Sequence, residues 1–186
     1  MKRGQLMKII SKKKFGQVWV ETVIYTLIGL LMVALVLYYA KPTIEKVQDQ
    51  SILQQSFQML GQVDSTILGV RSSSEQKNLK IWIKKGQLQI DGREGEEKII
   101  FEMESKYQYS GEGVNSSEGG INYTTVKKND LNLVTLMLDY NGRYNLTIDG
   151  VDKLRTLSQA PTPYSFLIKN NGKNPAGITQ IEFEIL

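Results

Sequence analysis

Residues 12–40 read KKKFGQVWVETVIYTLIGLLMVALVLYYA, and their composition sets the organisation of the whole chain. No charged residue occurs between Glu21 and Lys41. The apolar part, 18–40, would form about 35 Å of α-helix, which is enough to cross the hydrocarbon core of a bilayer. The sequence therefore predicts a transmembrane helix over 18–40.

The charges on either side of this segment predict its orientation. Six of the 23 basic residues lie within residues 1–16, which contain no acidic residue. The remainder carries 17 basic and 19 acidic residues, so the pI of about 9.1 comes from the N-terminal residues. Because basic flanks stay on the cytoplasmic side, residues 41–186 are predicted to be external. The slightly acidic body lacks a basic surface for nucleic acid, so we expect no nucleic-acid partner.

Gly16, a small residue preceded by lysines, lies before the apolar run, and a cut there would leave the apolar segment on the mature protein. A secretory signal is cut behind its apolar region at small residues, and the Lys-Pro-Thr at 41–43 is a poor match.

The acid Glu21 lies near the start of the apolar run. An ionisable group in a membrane helix costs about 2.5–3.5 kcal/mol at the centre and less near the ends. Glu21 therefore indicates a partner or a function. The alternative is an ordinary single-pass anchor, in which the helix dipole alone favours an acid at this end.

These residues resemble the class III signal of archaeal type IV pilins and archaellins, over about residues 12–45. The resemblance implies that a prepilin peptidase cuts after Gly16 and that Gln17 becomes the first mature residue. Glu21 would then be the fifth mature residue and would act in filament assembly. Trp19, which is bulky near the mature terminus, departs from the pattern and leaves open whether the chain is a main or a minor subunit.

A second helical segment is predicted to follow the apolar run. Pro42 should kink or briefly interrupt the helix. Apolar residues then recur at steps of three and four, which predicts an amphipathic helix over about 43–69. Its apolar stripe, 53–70, is expected to pack on the chain's own external domain rather than on a coiled-coil partner. Gly69 or the Arg-Ser-Ser-Ser at 71–74 should end the helix.

From residue 78 onward the apolar period changes to about two, which predicts a β-rich head domain. The expected organisation is a leader over 1–16, a long helix over 17–70, a linker over 71–77 and a head domain over 78–186.

Within the head domain, Asn141-Gly142 is the strongest hairpin signal, and Lys85-Gly86 and Asp91-Gly92 supply further turns. Residues 105–120 and 170–177 are expected to be surface loops. In the last strand, Glu182 and Glu184 should point outward. The fold class is α+β, with an antiparallel β-sandwich-like head. The predicted strands are 79–84, 87–91, 98–104, 123–127, 131–140, 143–149, 164–170 and 179–185.

The residue types give little support for catalysis. The chain has no His and no Cys, which removes imidazole bases, thiol nucleophiles and disulfides. The acid pairs Glu96-Glu97 and Asp149 with Asp152 are expected to be surface features. We therefore expect no enzyme activity, no cofactor and no metal site.

Three Asn-x-Ser/Thr sequons, at Asn115, Asn122 and Asn145, are candidate N-glycosylation sites in the external domain. Asn115 is the best candidate because it lies in a polar loop, whereas Asn145 is expected to lie on a strand.

The sequence and the resemblance together predict a structural subunit of an extracellular type IV pilus-like filament for adhesion or motility. Before assembly it would lie in the cell membrane, with lipid and the peptidase as partners, and afterwards it would associate with other copies through its helix. One alternative is an uncleaved, membrane-anchored surface β-domain that acts as a binding module. Another is a minor pilin-like component of a secretion or motility machine.

Overall fold

The computed structural model describes residues 12–73 and 75–186, with side chains from residue 18 onward. One helix precedes ten strands, and the chain divides into two compact units, one ending at Ile44 and one from Glu45 to Leu186. The predicted α+β class is confirmed. The elements are α1 (Lys12–Arg71), β1 (Lys77–Ile81), β2 (Gln87–Asp91), β3 (Lys98–Ser105), β4 (Ser116–Glu118), β5 (Ile121–Lys128), β6 (Leu131–Asp139), β7 (Tyr144–Ile148), β8 (Leu154–Ser158), β9 (Tyr164–Lys173) and β10 (Thr179–Ile185).

Helix α1 runs through Pro42 without interruption, so a short break at this residue is not found. Proline lacks one backbone N–H and therefore removes one helical hydrogen bond. The bonds of the adjacent turns remain, and the helix continues to Arg71. The predicted end of the helix within 69–74 agrees with the structure.

The second half of α1 packs on the β-strands, as predicted. Five side chains of the apolar stripe are at most 1% exposed and belong to one core cluster with residues of both sheets: Leu53, Leu60, Val63, Ile67 and Val70. Val47 lies near the start of this segment but is 59% exposed, so the core contact begins after it.

The strands form two sheets. The six-stranded sheet has the order β4-β5-β6-β3-β2-β8, and the four-stranded sheet has the order β1-β9-β10-β7. The ladders among the described strands are antiparallel, as predicted, except for the parallel ladder between β7 and β10. Strand β7 follows β6 along the chain, but both edges of β6 are already paired, with β5 and β3.

The Asn141-Gly142 turn is therefore not a hairpin between paired strands, and that prediction is wrong. The N–H groups of Arg143 and Tyr144 donate to the carbonyl of Tyr140 at 2.8 and 3.1 Å, and Gly142 has a φ of 71°. This tight turn carries the chain from the six-stranded to the four-stranded sheet.

Two strands were not predicted. Strand β4 lies inside the expected 105–120 loop and forms a hairpin with β5 across Gly119-Gly120, whose φ angles of 57° and 82° suit a two-residue turn. Strand β8 is an edge strand in which only Leu157 is buried, so it lacks the alternation that marks a strand in sequence.

Glu182 was predicted to point into solvent, but it is 8% exposed. It lies on β10 between Thr147 of β7 and Lys169 of β9. Its carboxylate is 3.4 Å from the Lys169 ammonium group and accepts a hydrogen bond from the Asn171 amide. The alternation of side chains along β10 alone predicts that Glu182 faces solvent, but the strands on both sides of it bury its carboxylate.

Candidate functional site

The first unit carries a long, uncovered apolar surface on α1. Its large apolar side chains between Val18 and Tyr39 are all at least 39% exposed, and Tyr38 reaches 75%. Such a surface in water far exceeds the exposed apolar patches of soluble monomers. Among the described residues, this one helix is long and apolar enough to cross a membrane. The finding is compatible with membrane anchoring.

Glu21 lies near the start of this surface. The Tyr25 hydroxyl, one turn further along, donates to the Glu21 carboxylate at 3.4 Å. The hydroxyls of Thr22 and Thr26 bond back to helix carbonyls at 2.9 and 2.6 Å, so these two polar groups are satisfied within the helix. The backbone of Gly16 and Gln17 is helical, and the side chain of Gln17 lies outside the described part of the structure.

In the second unit, Asp49 connects the helix to the strands. This residue is 4% exposed. Its carboxylate accepts from the Lys85 ammonium group at 2.5 Å and from the backbone N–H of Lys106 at 2.7 Å. The Lys106 ammonium group also pairs with Glu45, one helical turn earlier. Burial of the Asp49 carboxylate is therefore compensated by a cation and by a directed N–H donor.

Asp64 makes a second polar connection, about four turns further along the helix. It accepts a 2.9 Å hydrogen bond from the hydroxyl of Tyr140, a side chain that is 1% exposed. Burial, followed by the nearby charge of Asp64, raises the pKa of Tyr140 well above its usual value.

The C-terminal end of α1 is bound by the head as well. Arg71 donates to the Tyr144 hydroxyl at 2.8 Å and lies over its ring. The Asn170 amide donates to the carbonyls of Val70 and Arg71 at 3.3 and 3.0 Å. A helix end leaves carbonyls without an intrahelical partner, and Asn170 satisfies two of them. The head domain thus holds the second half of the helix from Asp49 to its C-terminal end at Arg71.

The three sequons differ in accessibility. Asn115 is exposed in the loop before β4, and Asn122 is half-buried on β5. Asn145 lies on β7, where its side-chain oxygen is buried without a hydrogen-bond partner, and Thr147 of the same sequon is 1% exposed. This environment makes Asn145 the least accessible acceptor of the three.

The acid pairs were expected on the surface, and Glu97 departs from this. Glu96 pairs with Lys98, whereas Glu97 is buried and one of its carboxylate oxygens has no hydrogen-bond partner among the described residues. Lys153 donates to Asp149 at 3.0 Å, and this hydrogen bond holds the pKa of Asp149 below its usual value. No group of three potential ligands of the His, Cys, Asp or Glu types comes together among residues 12–73 and 75–186.

Sequence reasoning did not identify the connections at Asp49 and Asp64. Their positions in the sequence could have indicated these connections, because both acids lie on the side of the helix that carries the buried apolar stripe. An acid in such a position needs a partner on the domain that covers it.

No family model matches the chain, and no curated protein or solved structure is significantly similar to it. The long apolar helix followed by a β-sheet domain is compatible with a pilin-like architecture.

Proposed function

We propose that the chain is a structural subunit of an extracellular type IV pilus-like filament. It is inserted in the membrane through α1, cut after Gly16, and packed with other copies through the first half of that helix. The observation that carries the proposal is the uncovered apolar surface of residues 18–39, which directly follows the Lys-Lys-Lys-Phe-Gly-Gln sequence.

A helix that leaves lipid must bury its apolar surface elsewhere. Burial of apolar surface is worth about 25 cal/mol per Å², so packing against the helices of other copies offsets the loss of lipid contact. The second half of α1 has only one buried face, and the head domain already covers it. The two halves of the helix therefore have different roles, one in association between copies and one in the core of a single copy.

Glu21 supplies the charge for this association. A cut after Gly16 creates a new α-amino group on Gln17, and this cation can pair with the Glu21 carboxylate of the same or a neighbouring copy. Before that event, the Tyr25 hydroxyl is a weak local donor for the carboxylate. Cleavage and charge neutralisation are linked in this scheme, because the uncut chain lacks the amine.

The first test is the mass of the native protein. Loss of residues 1–16 is expected, and Gly16→Arg should block it because the peptidase requires a small residue before the cut. A native protein that retains residues 1–16 would contradict the proposal and favour the uncleaved, membrane-anchored binding module.

The second test separates assembly from processing. Glu21→Gln removes the charge and keeps the size of the side chain, so the protein should still be inserted and cut but should form few filaments, as counted by electron microscopy. Glu75→Gln is the matched control, since Glu75 is exposed and lies outside the apolar segment. Normal filaments from Glu21→Gln would show that the acid is not needed for assembly.

A further inference from the structure

A groove lies on the solvent face of the six-stranded sheet, at its β4-β5-β6 edge. Its volume is about 490 Å³, within the size range of small-molecule sites. Alternate residues of β6, such as Val134 and Leu136, enter the core, so the groove residues of this strand face the opposite way. The lining consists of Asn115, Ser116, Ser117, Asn122, Thr124, Thr135 and Met137.

The register of the strands brings the polar side chains of this groove together. Asn122 of β5 lies opposite Ser117 of β4 on one side and Met137 of β6 on the other. Thr124 lies opposite Thr135 in the next row. Amide and hydroxyl groups from three strands thus surround one thioether side chain.

These amides and hydroxyls are available to a ligand. Within the described part of the chain, none of the six polar side chains in the lining makes a hydrogen bond to another residue. Thr125, on the opposite face of the same strand, differs, because its hydroxyl pairs with Ser110 at 2.9 Å. The groove therefore presents several donors and acceptors that no intramolecular partner occupies.

The groove has no charged side chain in its lining. Glu102 lies beside the groove, opposite Thr135, and its carboxylate already accepts from the Gln87 amide at 3.1 Å. A phosphate, a sulfate or a metal ion would find no compensating charge here. A saccharide suits the site, because its hydroxyls match amide and hydroxyl partners and its C–H faces can contact Met137.

We propose that this groove binds a neutral oligosaccharide presented from outside the chain. The proposal is independent of filament assembly, since an uncleaved, anchored subunit would carry the same groove. Asn115 and Asn122 are also sequon residues, so an N-linked glycan on either one would compete for the same space. The binding measurement therefore requires protein without N-glycans.

The experiment uses the full chain in a detergent that has no sugar headgroup, made in a host without N-glycosylation and checked by intact mass. The probe is an array of neutral oligosaccharides with sialylated and sulfated counterparts, followed by calorimetry on the strongest neutral ligand. We expect binding to neutral members and no gain from added negative charge. No binding to any neutral member, or a preference for charged ones, would overturn the proposal.

Variants then locate the site. Ser117→Ala combined with Thr135→Val removes two hydroxyls from the groove face, since Ser117 lies opposite Asn122, and affinity should fall about tenfold. The change to the Asn115 sequon has no effect in a host without N-glycosylation. Thr156→Val on β8 is the matched control, because this exposed threonine lies on the same face of the sheet but outside the groove. The affinity of this variant for the oligosaccharide should not change.

Met137→Lys should abolish binding by placing a long charged side chain within the groove. Circular dichroism and thermal unfolding establish that each variant is folded, and unchanged affinity in folded Met137→Lys protein would refute the assignment.

Discussion

Leu60→Ala tests whether the second half of α1 is part of the head core. Leu60 is 0% exposed and lies in the cluster that contains strand residues of both sheets. Truncation of a fully buried leucine removes the transfer free energy of its side chain and leaves a cavity, at a cost of about 2–5 kcal/mol. The complete burial of Leu60 places the expected loss near the middle of that range, at about 3 kcal/mol.

Leu68→Ala is the matched control. Leu68 is two turns further along the same helix but is 45% exposed. The same chemical change at this position should alter the free energy of unfolding by no more than about 0.5 kcal/mol.

Urea unfolding of the full chain in detergent measures both variants. The chain has two tryptophans, so a Trp19→Phe background leaves Trp82 as the only indole reporter. Trp82 lines a shallow pocket with Ile52 and Met59 of α1, and its indole N–H donates to the Ala160 carbonyl at 3.0 Å, so its fluorescence follows the contact between helix and head. With a slope of about 2 kcal/mol per molar urea, Leu60→Ala should lower the midpoint by about 1.5 M.

The result that would refute the reasoning is a similar, small change for Leu60→Ala and Leu68→Ala. The second half of the helix would then contribute nothing to the stability of the head, and the two-role division of α1 would be wrong.

Further predictions concern the second unit, residues 45–186. Burial raises the pKa of Tyr140 in the folded state, so the free energy of unfolding should fall as pH rises above the ordinary tyrosine pKa of about 10. Urea unfolding at about pH 9–11 should show a smaller fall for Tyr140→Phe than for the unchanged protein. Gly61→Ala should raise the free energy of unfolding by about 0.5–1 kcal/mol, because the added methyl group meets nothing within 4 Å and alanine favours helix. Gly92→Ala should lower the free energy of unfolding, because the new Cβ would lie 2.2 Å from the backbone oxygen of Leu146. Equal melting temperatures for the two glycine variants would contradict both expectations. Glycopeptide mass spectrometry of native protein should find a larger glycosylated fraction at Asn115 than at Asn145, because the side-chain oxygen of Asn145 is buried. The reverse order would show that strand β7 opens before the glycan is attached.

Local composition was sufficient for the features that depend on short-range periodicity. The apolar run, the change of period after the helix and the strands 87–91 and 179–185 were all predictable, because side-chain burial repeats every 3.6 residues in a helix and every two in a strand. The buried stripe from Leu53 to Val70 was predictable for the same reason. These properties belong to one element at a time, so neighbouring residues contain enough information to reveal them.

Pairing between distant segments was decided by the tertiary structure. Asn141-Gly142 has the residues of a hairpin turn, yet β6 is already paired on both edges, so the chain crosses to the other sheet and β7 pairs in parallel with β10. Glu182 is buried for a related reason, because residues of both neighbouring strands surround it. The polar groove likewise combines three strands, one of which is too short to be recognised from its own residues. Such features depend on which strand lies beside which, and competition among all the strands for partners determines that order only when the whole domain is folded.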